Sequence, residues 1–424
     1  MKTSYFTASV AGAALSALAG ASFAQDTAAV ATTYSNIAAA AFADSVTTGL
    51  VLQSAIDALI AAPSDDTLTA ARAAWLASRT PYMQTEVFRF GNAIVDDWEG
   101  KVNAWPLDEG LIDYVDAGYY FGSEENAASQ LNVVASASFM LSGADIDASV
   151  INAALLEDVL QEADGNEANV ATGYHAIEFL LWGQDLIADA PQAGQRPYTD
   201  FAVGDDCTGG NCDRRVAYLK AATDLLVSDL EWMAAQWVEG GEGRATIMGD
   251  TDAAITAMLT GMGSLAFGEL AGERIKLGLL LHDPEEEHDC FSDDTPSSHY
   301  GDILGISNVY LGSYTRIDGT EVSGPGLSSL VAAADPALDA VFRGQANATL
   351  ASADALKVAA AGGMSYDMML QSGNTGGGAM ITAVVENLVS MSHSIERIST
   401  VLGATGVTME GSDALDGSVE EVFE

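Results

Sequence analysis

The sequence predicts an all-α protein of two helical bundles, each of about four helices, with long irregular loops between some of them. Three observations carry this. Alanine, leucine and methionine are abundant, and alternating β-branched runs are scarce. Apolar residues recur at three- and four-residue spacing, the period of a helix buried along one face. The breaks between these stretches hold residues that stop and start helices.

Taken in order, a thin positive start at Lys2 is followed by an apolar, alanine-rich run from Ala8 to Ala21 and by Ser22-Phe23-Ala24. This is the pattern of a secretory signal peptide (residues 1–24) cleaved near Ala24, which makes the mature chain periplasmic or secreted. The leader has no cysteine for a lipid anchor. No later stretch reads as a membrane span. Helical periodicity then covers Ala28–Ala62, Thr67–Phe90, Ile146–Ala163 and Val216–Val238. Ser64 or Asp65 is placed to cap one helix after Pro63, and Asp335-Pro336 to cap another. Residues 201–215, rich in Gly, Asp and Cys, form the expected linker between an N-terminal bundle (25–200) and a C-terminal one (216–424). Two regions resist a helical reading, Asp96–Gly122 and Asp283–Gly326. They mix aromatics, glycines, prolines and acids, and long loops of that kind are often functional.

Sixteen basic residues stand against 60 acidic ones, a net charge of −44. Such a surface repels nucleic acid and anionic lipid. It attracts cations diffusely, so charge alone identifies no metal site. In an oxidising compartment Cys207 and Cys212 can close a small loop, leaving Cys290 unpaired among acids and a histidine.

The chain has five histidines. His175 and Glu178 lie three apart in a helical segment, on one face with roughly 5–6 Å between Cβ atoms. Such a pair can chelate an ion, as Glu-x-x-His pairs do in helical bundles. It equally describes a core histidine hydrogen-bonded to a glutamate. Gly173 allows close approach, and Tyr174, Phe179 and Trp182 make the surroundings apolar. A second cluster, His282 to Asp294 with His299 beyond, supplies nitrogen and oxygen donors suited to iron, zinc or manganese. Trp75, Arg79, Tyr82, Glu86 and Arg89 share a stripe that Pro81 should bend. Glu269, Glu273 and Arg274 repeat that mixture, and His393 with Glu396 repeats the H-x-x-E spacing without its glycine. There is no H-E-x-x-H, G-x-S-x-G, P-loop, Rossmann glycine signature or C-x-x-C-H.

Gly173-Tyr174-His175-Ala176-Ile177-Glu178 resembles the G-x-H-x-x-E signature of the imelysin family. Tyr82–Gly91, Trp98–Tyr114 and Glu287–Thr295 resemble segments of its iron-regulated protein A branch, and residues 25–405 would form one such unit. The resemblance implies two bundles related by duplication, export and a link to iron acquisition. It also implies a site between the bundles, with iron, or alternatively zinc, as the bound ion. His175, Glu178 and Glu86 are then the expected ligands, with His288 or Asp293 closing the site. Gly173, Arg79, Tyr82, Glu273, Arg274 and Trp182 are expected around them. The expected partners are a metal ion or metal chelate and an envelope iron-transport component. A zinc-type metalloendopeptidase and a non-catalytic module for a small ligand or partner are the alternative readings.

Overall fold

A computed structural model of the protein describes residues 9–116 and 126–416, with side chains from residue 26 onward. The expected cleavage segment Ser22-Phe23-Ala24 lies outside the described side chains.

The architecture is all-α, with two short antiparallel hairpins among the described residues, Ser138–Leu141 with Ala144–Asp147 and Ser313–Thr315 with Glu321–Ser323. Helix α1 (Ser9–Ala61) turns at Pro63 into α2 (Asp65–Met83). The turn is fixed by a reciprocal cap: the Thr67 amide donates to Ser64 Oγ (3.2 Å) and the Ser64 amide to Thr67 Oγ1 (2.9 Å). Helix α3 (Ala93–Val102) and α4 (Gly173–Trp182) follow, then α5 (Cys212–Trp237). Helix α5 packs on α1 and α4, although the expected division at residues 201–215 puts it in the second half. Tyr34, Phe42, Phe88 and Trp237 weld α1 to α5, with ring centroids 4.8–6.1 Å apart. Cys207 and Cys212 are disulfide-bonded. Beside this loop, buried Asp113 accepts from Arg196 (2.8 Å) and Arg215 (2.5 Å).

Helix α6 begins at Thr251, capped by Asp250, and widens into π-helical turns over Leu265–Lys276 before ending at Leu281. The wider turns bring positions i and i+5 together, so Glu269 Oε1 accepts from Arg274 Nε at 2.9 Å. Helices α7 (Thr295–Leu311), α8 (Pro336–Ala361) and α9 (Thr375–Leu402) complete the main framework. Asp335 caps α8 through the amides of Ala337 and Leu338, as its place before Pro336 implied. Helix α9 packs on α6 and α8, and α7 joins α8 to α2.

Several sequence expectations are corrected. Residues 146–163 are not one long helix: a strand ends at Asp147, and only short turns follow, from Ala153 to Leu160. Asp96 lies within α3, and α7 occupies the middle of the stretch taken to be irregular. Helix α7 escapes a periodicity search because its buried face carries Ser298, His299, Asp302 and Ser307. Two of its glycines sit where α2 passes closely: a Cβ at Gly301 would fall 2.7 Å from Met83 Cβ, and one at Gly305 2.7 Å from the Gln84 carbonyl oxygen. Among the described residues two helical stretches, Asp26–Ala61 and Thr251–Leu281, are in fact long and apolar enough to cross a membrane by length and composition. The second is mostly buried against the rest of the protein and carries the Glu269–Arg274 pair, as suits a core helix.

Candidate metal centre

Helix α4 is buried along all ten residues. It starts at Gly173, whose φ of +80° suits glycine, and a Cβ there would stand 2.5 Å from the Val102 carbonyl oxygen. The end of α3 therefore presses directly on the start of α4. Two residues on, His175 Nδ1 lies 3.0 Å from Glu178 Oε2, and Glu178 Oε1 accepts the Ser292 amide at 2.9 Å. This second bond ties α4 to the loop between α6 and α7. The same loop delivers His288, its ring centroid 4.8 Å from that of His175, and Asp289, whose Oδ1 is 3.7 Å from His175 Nδ1. One ligand atom from each of His175, His288 and Asp289 lies within 4.8 Å of the others, and all three residues are buried.

Asp289 is held from three sides. Arg79 Nη2 donates to Oδ1 at 2.8 Å, the Ser298 hydroxyl donates to Oδ2, and the Asp289 amide donates to Thr295 Oγ1 at 3.1 Å. Arg79 also donates to Asn103 Oδ1 (2.5 Å) at the end of α3, and its guanidinium lies 5.1 Å from the Tyr174 ring centre and 5.5 Å from that of Trp75. In contrast, His175 Nε2 and His288 Nδ1 are buried without a hydrogen-bond partner. Buried polar nitrogens are rarely left so.

Electrostatics keep both imidazoles neutral. Burial, then the positive charges of Arg79 and Arg274, pushes His175 well below its ordinary range. Burial, then Arg274 and His175, does the same to His288. Neutral imidazole is the form that ligates a metal. Burial, then the Asp289 charge, raises Glu178 well above the usual carboxylate range. A cleft of about 430 Å³, lined by Arg89, Glu99, Trp105, Glu273, Arg274 and His288, gives access to one edge of the group.

The structure brings together His175, Glu178 and His288 from the expected set, and adds Asp289. It does not bring in Glu86, whose Oε2 is paired with Arg274 at 2.8 Å. Arg274 also serves Glu269 (2.6 Å) and Asp302 (3.4 Å). Asp293 stands in a different carboxylate cluster, with Asp185 and Asp367. Of the residues expected around the site, Gly173 and Arg79 contact it as described. Tyr82 packs against Tyr174 with tilted rings, 4.8 Å between centroids, and Trp182 packs on Trp75 at 5.4 Å and under Arg72. Glu273 is exposed on the cleft wall. His282 Nδ1 lies 2.7 Å from the Leu370 carbonyl oxygen, His299 is buried on α7, and His393 and Glu396 are exposed. Asp289, Asn103 and Ser298 had no marker in the sequence beyond lying in suspect regions.

Two buried glutamates near these regions predict a pH effect. Burial raises Glu99 to about 7 and Glu109 to about 8. Groups raised on folding contribute stability that is full below about pH 4.3 and is lost as pH climbs through the folded value. The buried histidines oppose this only below about pH 6.5, where the unfolded chain takes up their protons. Glu285, Asp293 and Asp294, raised by burial to about 7, 8 and 7, act in the same direction. Metal-free protein should therefore lose at least about 2 kcal/mol between pH 6.5 and 8.5. Denaturant titrations at the two pH values check this, and equal or greater stability at pH 8.5 would contradict it.

The imelysin family model matches residues 38–395, and the chain belongs to that family. Among solved structures it is similar to a protein described as an iron-regulated protein A precursor from Parabacteroides distasonis ATCC 8503. The two are 18% identical, with a TM-score of 0.65 over 89% of this chain and 95% of that one. It is also similar to an imelysin-like protein from Psychrobacter arcticum 273-4, at 14% identity and a TM-score of 0.51 over 90% of this chain and 96% of that one. No curated protein matches the chain.

Proposed function

We propose that this protein is an exported, iron-binding protein of the cell envelope that serves iron uptake or homeostasis, with His175, His288 and Asp289 holding the ion. The observation that carries the reading is the convergence of two neutral, buried imidazoles, each with an unpartnered nitrogen, on one buried carboxylate. Two nitrogens and an oxygen suit iron, with zinc the alternative, and no thiolate or thioether contributes to the set. Glu178 Oε2 faces His175 Nδ1 at 3.0 Å, and its Oε1 accepts the Ser292 amide. Its role is to orient the His175 ring and raise its basicity, as carboxylates behind metal-bound histidines do. When bound, the ion neutralises part of the negative charge collected here and stitches α4 to the 287–295 loop. On this reading the site is shared between two bundles, 25–200 and 216–424, with residues 79–103 and 173–178 contributed by the first and 288–298 by the second. The apolar leader supports export, and the iron-regulated protein A neighbour supports the link to iron.

Calorimetric titration of chelator-stripped protein with ferrous iron and with zinc tests the reading. One ion should bind per chain, with iron or zinc affinity reduced at least about 100-fold in His175→Ala/His288→Ala and roughly 10–100-fold in Glu178→Gln. Equal binding by wild type and the double variant would remove the claim.

A further inference from the structure

A second group of carboxylates includes Asp293 of the same loop. Asp185, Asp293 and Asp367 place one oxygen each within 4.8 Å of one another. Two oxygens on opposite sides of a calcium ion are separated by about the same distance, twice a Ca–O bond of roughly 2.4 Å. The set is thus no wider than a single coordination shell. Next to it is a cavity of about 200 Å³ lined by Glu109, Asp185, Glu285, Glu287 and Asp367, among others, and by no Lys, Arg or His.

Glu287 supplies independent evidence that something belongs there. It is only 1% exposed and lines this cavity, yet neither carboxylate oxygen has a hydrogen-bond partner in contact. The Thr295 hydroxyl lies nearby, and the charges acting on Glu287 are those of Asp367, Asp293 and Asp185. Asp367 is 2% exposed. Its Oδ1 accepts from the Ser365 hydroxyl and the Met368 amide (2.8 Å), which leaves Oδ2 without a partner. Asp293 Oδ1 is likewise buried and unpartnered. Three of these four carboxylates (Glu287, Asp293 and Asp367) carry unsatisfied buried oxygens, and with no protein cation among the cavity-lining residues the four charges would repel one another strongly. A buried charge is normally paired or bound to a metal.

We infer that Asp185, Asp293, Asp367 and Glu287 form a second cation site, for a hard, oxygen-preferring divalent ion of calcium's size. The donor set differs in kind from the histidine centre: it is all oxygen, flexible and highly charged, which favours calcium over the ions that imidazole selects. Glu287 and Asp293 bracket His288 and Asp289 in sequence. A calcium ion would therefore fasten both ends of the segment that supplies two ligands to the first centre.

Equilibrium dialysis of the full mature chain against calcium in about 0.15 M salt, which screens the diffuse pull of the acidic surface, tests the inference. Wild type should retain one calcium, His175→Ala should retain the same, and Asp185→Asn/Asp293→Asn should bind it more than about tenfold more weakly. Those substitutions are isosteric and spare the Asp367 backbone bonds, and circular dichroism shows whether the variant is folded. No calcium retained by wild type overturns the inference, whatever the variants do. So does unchanged binding in the double aspartate variant, which would assign the ion to the surface. Loss in His175→Ala would also overturn it, placing calcium at the histidine centre instead. Failure of iron or zinc titration leaves these outcomes unaffected, so the two sites stand or fall separately.

Discussion

Gly173→Ala should destabilise the protein by about 3 kcal/mol or more and abolish metal binding with it. Two penalties act at once. The residue sits at φ +80°, and its new methyl group would lie 2.5 Å from the Val102 carbonyl oxygen and 2.9 Å from Val102 Cα. The obstacle is backbone rather than the tip of a flexible side chain, so either α3 or α4 has to move. Displacement of α4 carries His175 and Glu178 with it. Displacement of α3 carries Asn103 away from Arg79, whose guanidinium then rests on Asp289 alone and opposes a cation there more strongly. Either route disturbs the site. Gly143→Ala is the matched control: its φ is +75°, but nothing lies within 4 Å of the added methyl. It should cost only about 1 kcal/mol, the backbone share alone. Urea midpoints of the two variants decide the matter. Similar losses in both would mean that the α3–α4 contact yields readily and that the glycine is not what sets the geometry.

The sequence made this contact partly legible. Gly173 reads as a place of close approach, but what approaches is the end of α3, from a region expected to be irregular. The H-x-x-E pair was readable because helical register alone puts His175 beside Glu178. The caps at Ser64 and Asp335 were readable for the same local reason. The remaining ligands were not, because they depend on tertiary placement. Glu86 has a ligand's chemistry and a suitable stripe, yet it is paired with Arg274, 188 residues away. His288, Asp289 and Asp293 lie within six residues on one loop, where spacing says nothing about direction. His288 and Asp289 turn toward α4, whereas Asp293, with a left-handed φ of +59°, joins Asp185 and Asp367. Helix α7 was hidden by its service to the site. Ser298 binds Asp289 and Asp302 faces Arg274, so polar residues occupy positions where a periodicity search looks for leucine.

Arg79→Met should have the other large effect, and its response to metal separates a binding centre from a buried ion pair. The Arg79 guanidinium is 1% exposed, lies between Asp289 and Asn103, and is bordered by Tyr174 and Trp75. Methionine keeps much of the apolar stem but leaves Asp289 without its cation. Removal of one partner from a buried pair typically costs about 3–5 kcal/mol, and the metal-free variant should lose stability on that scale. A cation at His175, His288 and Asp289 would restore positive charge beside the same carboxylate. In wild type Arg79 opposes that cation's approach, and in the variant it does not. The metal-induced rise in melting temperature should therefore be larger in Arg79→Met than in wild type. A tenfold gain in affinity adds about 1.4 kcal/mol of stabilisation at saturating metal. Thermal melts of both proteins, with and without ferrous iron or zinc, measure it. If metal shifts neither melt, Arg79 is the only cation this cluster is built to hold, and His175 is a core histidine hydrogen-bonded to Glu178.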